Sequence, residues 1–122
     1  MIINMDYLQA AREITKSIPE IQNELRGHET QNSFSVIRTL TDHIKNMVRQ
    51  NEKVLLIKSI KKMNAIYKNG DALLKNAVES TFIYSLDSFT AFCNEEYKKT
   101  IFRHISQDLQ KVYSKQIYQH GM

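Results

Sequence analysis

Proline occurs once in this chain of 122 residues and glycine three times, as Pro19, Gly27, Gly70 and Gly121. A β-sandwich or barrel needs turn residues at roughly every tenth position, so a chain with so few backbone breakers suits long helices joined by short connections. Apolar residues make up 42% and charged residues 25% of the sequence. That balance can fill a core and is unlike the composition of a disordered chain. The length corresponds to one domain over residues 1–122.

Helical periodicity runs through the whole chain. Leu8, Ala11, Ile14, Ile18, Ile21 and Leu25 recur at spacings of three and four over residues 6–26. Pro19 interrupts this stripe, and Ser17-Ile18-Pro19-Glu20 reads as a restart with proline in the first turn. Two short helices and one kinked helix fit equally, and Gly27 ends the segment. A second helix begins at the capping residues Asn32-Ser33, carries Ile37, Leu40, Ile44 and Met47, and ends near Gln50-Asn51. A third follows over residues 52–68, with Leu56, Ile60, Met63 and Tyr67 on one face. Asn69-Gly70 closes it, and Asp71 caps the next.

The segment 71–86 is the most apolar, and Leu73, Leu74, Ala77, Val78, Phe82, Ile83 and Leu86 cover more than one of its faces. A helix of that kind belongs at the centre of a fold, with Phe82 in the main core. Glu79 lies within it. If buried it needs a lysine or a tyrosine hydroxyl as partner; on an exposed edge it needs none, and the edge is the cheaper placement. Beyond it, Phe89, Phe92 and Tyr97 supply bulk, and Asn94-Glu95-Glu96 reads as a fresh helix start. The last helix is capped by Ser106, carries Leu109, Val112, Tyr113 and Ile117, and ends at Gly121. The expectation is an all-α fold of six to seven short helices, arranged as a compact bundle or as stacked helical hairpins.

No stretch reaches the ~20 apolar residues of a membrane span, and the N-terminus lacks the basic and apolar regions of a signal peptide. The single cysteine, Cys93, excludes an internal disulfide. The sequence therefore reads as a complete cytoplasmic chain. His28, His43, His104 and His120 show no metal-ligand spacing, and no glycine-rich loop is present to cradle a phosphate. Neither a metal nor a cofactor is expected. Cys93, His104 and Asp108 form the nearest approach to a nucleophilic set, since His104 and Asp108 share a face if their helix is continuous. No motif surrounds Cys93, and a free cysteine is ordinarily a small buried hydrophobe. No catalytic residue is assigned.

From Lys45 to Lys68 there are seven basic residues and one acid, Glu52. Lys58, Lys61 and Lys62 share a helix face, with Lys68 nearby. A lysine-rich face of this kind is ordinarily solvated; its alternative use is as a surface for nucleic acid or an acidic protein. Lysine outnumbers arginine there, aromatics are not interleaved, and the net charge is a mild +4. All three points count against sequence-specific nucleic-acid recognition.

The stretch from Tyr67-Lys68-Asn69-Gly70-Asp71 through Asn76-Ala77-Val78-Glu79-Ser80-Thr81-Phe82-Ile83-Tyr84-Ser85-Leu86 resembles small uncharacterised all-helical bacterial domains. In those a turn leads into a helix reading roughly N-A-(I/V)-E-x-(T/S)-F. A later segment, Leu109-Gln110-Lys111-Val112-Tyr113-Ser114-Lys115-Gln116, is similar to one near the end of such chains. The resemblance implies kinship with immunity-type proteins that bind and block a partner, and makes Asn76 and Glu79 candidates for structural hydrogen bonds. The reading that follows is a non-enzymatic protein-interaction domain with another protein as partner. A nucleic-acid-associated regulator using Lys58–Lys68 is the alternative, and homodimerisation through a helix face is compatible with both.

Overall fold

The computed structural model describes residues 4–26 and 32–120. Among them there is no strand, and helix follows helix: α1 (Tyr7–Ser17), a 3₁₀ turn (Pro19–Ile21), α2 (Gln22–Arg26), α3 (Ser33–Gln50), α4 (Lys53–Asn69), α5 (Ala72–Ala77), a π-helical turn (Val78–Ile83), α6 (Leu86–Thr90), α7 (Glu95–His104) and α8 (Gln107–His120). No described helix is long and apolar enough to cross a membrane. Gly27, His28 and Gly121 lie outside the described residues.

The helix starts follow local side-chain chemistry. Asp6, Asn32, Asp71 and Asn94 each accept a hydrogen bond from the backbone N–H three residues on, satisfying a donor that has no partner within the helix. Ser106 does the same for Leu109 at 3.3 Å. Pro19 opens a separate 3₁₀ turn, so the first stripe becomes two helices. Asn51 ends α3 with φ 58°, a left-handed conformation that asparagine tolerates better than most residues.

Gly70 behaves differently from a left-handed helix cap. Its backbone is extended, at φ −75° and ψ 157°, and it pairs with Met5 in an isolated parallel bridge. Met5 donates to the Asn69 carbonyl at 2.7 Å and accepts from Asp71 N–H at 2.8 Å. These bonds tie the chain before α1 to the α4–α5 turn.

The core is organised around α3, which packs against α1, α2, α4, α5, the π-helical turn and α6. The centrality expected of segment 71–86 is therefore shared: α5 and the π-helical turn touch α3, α4 and α8. α3 reaches this position with modest apolar content because Ser33, Thr39 and Thr41 are buried beside Val36, Ile37, Leu40 and Ile44. The hydroxyl of Thr39 donates to the carbonyl of Ser35, and those of Ser59 and Thr90 donate to the carbonyls of Leu55 and Leu86. Such bonds to the preceding turn let small polar residues enter a core at little cost. Phe82 is fully buried, with its ring centroid 6.0 Å from that of Phe89.

Several apolar residues turn outward. Leu73 is exposed, Phe92 is 100% exposed, and Leu8 gives its place in the core to Ala10. Segment 71–86 is not one uniform helix, because its backbone widens at Val78–Ile83 and breaks before Leu86.

Candidate functional site

The π-helical turn is where the polar side chains of three elements meet. Its i→i+5 hydrogen bond runs from Tyr84 N–H to the Glu79 carbonyl at 3.2 Å, and Gln116 Nε2 of α8 donates to the same carbonyl at 2.9 Å. The Glu79 carboxylate accepts the Tyr67 hydroxyl at 2.6 Å. Glu79 is thus half-buried with a tyrosine partner, and the exposed-edge placement is set aside. Lys75 Nζ donates to the Tyr67 carbonyl at 2.8 Å and lies 5.3 Å from the centre of the Tyr67 ring. Single-turn π segments cost helical regularity and tend to persist where they position something.

The turn positions one wall of a groove. Ile83 and Tyr84 at its end, Asp87 and Ser88 of α6, and Tyr113, Gln116 and Ile117 of α8 enclose about 310 Å³. Tyr113 donates its hydroxyl to Asp87 Oδ1 at 2.5 Å, joining α8 to α6 across the groove. The Tyr113 ring packs edge-on against Phe102, 5.0 Å between centroids. Tyr84 is 65% exposed and Ile117 43%, so the groove carries apolar surface open to solvent. The far end of α8 is set by Asn64 of α4, which donates to the His104 carbonyl at 2.8 Å and accepts from Ser106 N–H at 3.1 Å. Gln110 Nε2 adds a bond to the Ile105 carbonyl at 2.8 Å, so these two side chains hold the α7–α8 turn.

Both hydrogen-bonded phenols resist ionisation. Burial, then the bond to Glu79 and the charges of Glu79 and Asp108, push Tyr67 up from 10.0 to about 12. Burial, then the bond to Asp87 and its charge, do the same for Tyr113, also to about 12. The folded chain therefore holds these protons more tightly than the unfolded chain, whose tyrosines ionise near 10. The stability this contributes is complete below pH about 10 and is lost as the pH rises through about 12. Ultraviolet titration of the tyrosines, followed with circular dichroism, should show a late-ionising fraction and loss of helix in that window. Unaltered helicity beyond pH 12, with all six tyrosines ionising together near 10, would contradict this.

The lysines of α4 are not equivalent. Lys58 and Lys61 are exposed and make no ion pair among the described residues. Lys62 is largely covered and lies 3.5 Å from Glu13 of α1. Lys68 is exposed, and its carbonyl accepts from Lys75 Nζ at 3.2 Å. Asn76 is exposed, and its carbonyl accepts the Ser80 hydroxyl at 2.8 Å.

The nucleophilic set does not assemble as the spacing required. The chain breaks at Ile105–Ser106, so His104 ends α7 while Asp108 begins α8, and the assumed continuous helix is absent. His104 Nδ1 is engaged with the Thr100 carbonyl at 2.8 Å, and the charge of Asp108 acts on the Tyr67 phenol. Burial pushes the Cys93 thiol up, against a weaker opposing influence from Lys98, which disfavours the reactive thiolate. Among the described residues no three histidine, cysteine or acidic side chains gather as a metal site would require.

Sequence reasoning missed the groove residues Tyr84, Asp87 and Gln116. It placed Tyr113 and Ile117 on a core stripe; Tyr113 does pack against the core while also lining the groove, and Ile117 turns out to the groove. The signal available was the continuation of polar and aromatic residues through Tyr84-Ser85-Leu86-Asp87-Ser88, beside a helix already read as too apolar to be exposed.

Residues 11–119 match the family model of a domain of unknown function, DUF7674. The chain belongs to this family. No curated protein and no solved structure matches it. In this DUF7674 domain the matched region takes in the π-helical turn, Asn64 and every groove residue, so the groove is built within the family's own unit.

Proposed function

We propose that this domain is a non-enzymatic protein-interaction module whose groove between the π-helical turn, α6 and α8 receives a partner protein. The observation that carries this reading is the exposure of Tyr84 and Ile117 on a groove whose walls are fixed by the Tyr113–Asp87 and Gln116–Glu79 hydrogen bonds. Aromatic side chains exposed on a pre-ordered concave surface offer large contact area at low entropic cost, and such residues dominate protein interfaces. The mode of action is occlusion: the domain covers a working surface of its partner, as an immunity-type or regulatory protein does. A bacterial and cytoplasmic setting fits this role, and a second copy of the chain is one form the partner can take.

The nucleic-acid reading keeps one supporting observation, the exposed Lys58 and Lys61, which make no ion pair among the described residues. Lys62, drawn into the pair with Glu13, narrows that surface.

The test is affinity capture from native cells with the unaltered chain and with Tyr84→Ala/Ile117→Ala, at low and moderate salt. A stoichiometric protein that survives moderate salt and is lost with the double variant is the expected result. Recovery of nucleic acid that washes off steeply with salt, equally from both chains, would favour the lysine face.

A further inference from the structure

We propose that the groove takes a partner segment carrying an arginine side chain flanked by apolar residues. This rests on the protein-interaction reading and specifies its partner. Among the described residues the charge lining the groove is the carboxylate of Asp87, and no lysine or arginine lines it. On α8 the groove residues Tyr113, Gln116 and Ile117 fall within one arc. At about 100° per residue, Lys111 and Lys115 lie on the opposite side of the helix. Those two lysines line a separate concavity with Gln107, Gln110 and Ser114. In a chain of net charge +4, both lysines of α8 are thus kept off this surface, and among the described side chains the groove is locally negative.

The carboxylate is also presented rather than consumed. Asp87 is exposed, and the Tyr113 hydroxyl occupies Oδ1, which orients the group. An ionised carboxylate has about four acceptor positions, so Oδ2 and part of Oδ1 remain for an incoming donor. Tyr84 offers an exposed ring beside it, and a cation gains from a position over such a face. Arginine suits this pair better than lysine, because its planar group can stack on the ring while its N–H fork meets the carboxylate. Ile83 and the exposed Ile117 supply the apolar floor and rim for the neighbours of the arginine.

The experiment titrates the isotope-labelled full chain with three synthetic peptides that differ at one central residue, arginine, glutamine or glutamate, between leucines. Backbone amide shifts of Tyr84, Asp87 and Gln116 report occupancy of the groove. The arginine peptide should bind about ten-fold more tightly than the glutamate peptide and several-fold more tightly than the glutamine peptide. Asp87→Asn still accepts the Tyr113 hydroxyl and should remove most of the preference for the arginine over the glutamine peptide. Tyr84→Leu, at an exposed position, should weaken the arginine preference without altering the fold. Equal binding of the arginine and glutamine peptides in the groove of the unaltered chain would overturn the arginine assignment and leave groove docking standing. No groove shift with any peptide would overturn both.

Discussion

Phe82→Ala should lower the free energy of unfolding by about 3–5 kcal/mol, the cost typical of emptying a core aromatic site. Phe82 heads the fully buried side chains in size among the described residues and packs against Phe89. It also lies in the π-helical turn that packs against α3 and α8. Domains of this size have about 5–15 kcal/mol in all, so the variant should be close to unfolding. Phe82→Leu, which keeps much of the volume, should cost distinctly less. Denaturant titration followed by circular dichroism checks both. A loss below about 1 kcal/mol for the alanine variant would mean that this site collapses freely, against the dense packing described.

Gly70→Ala should be the most damaging addition of a single methyl group. A Cβ at Gly70 would stand 2.5 Å from the carbonyl oxygen of Ile66 and 2.9 Å from Cβ of Leu74. Neither neighbour can move cheaply, because the Ile66 carbonyl accepts the Gly70 N–H at 2.7 Å and Leu74 is buried. The cost is steric, since the extended backbone at this position suits any residue. Overpacking of this kind costs about 1–3 kcal/mol, and the upper end is expected because backbone must shift. The loosened Met5–Gly70 bridge should make the amides of Met5 and Asp71 exchange faster. Asn69→Ala, one residue away and exposed, is the control. A melting temperature unchanged by Gly70→Ala would show that the α4–α5 turn is looser than these distances imply.

The features legible in the sequence are those with local causes. The caps at Asn32, Asp71, Asn94 and Ser106 follow from side-chain oxygens that reach a backbone N–H three residues on. The burial of Phe82 follows from its place in the most apolar segment. The π-helical turn was not legible, because widening one turn of a helix answers to packing against α3 and α8, which no periodicity encodes. Burial of Thr39, Ser59 and Thr90 was hidden for a similar reason: a hydroxyl bonded to its own helix counts as polar in a pattern and as apolar in a core. Gly70 suggested only the end of a helix, while the structure also uses it for a close approach of backbone. The groove depends on Asp87 meeting Tyr113 across 26 positions of sequence, and the lysine face drew attention because its charges are contiguous.

The groove, rather than the lysine face of α4, is expected to meet the partner. Placing a photo-crosslinking amino acid at position 84 in one chain and at position 61 in another, and irradiating native cells, tests it directly. One discrete protein adduct from position 84 and little from position 61 is the expected result. A discrete adduct from position 61 alone, with protein or with nucleic acid, would contradict it.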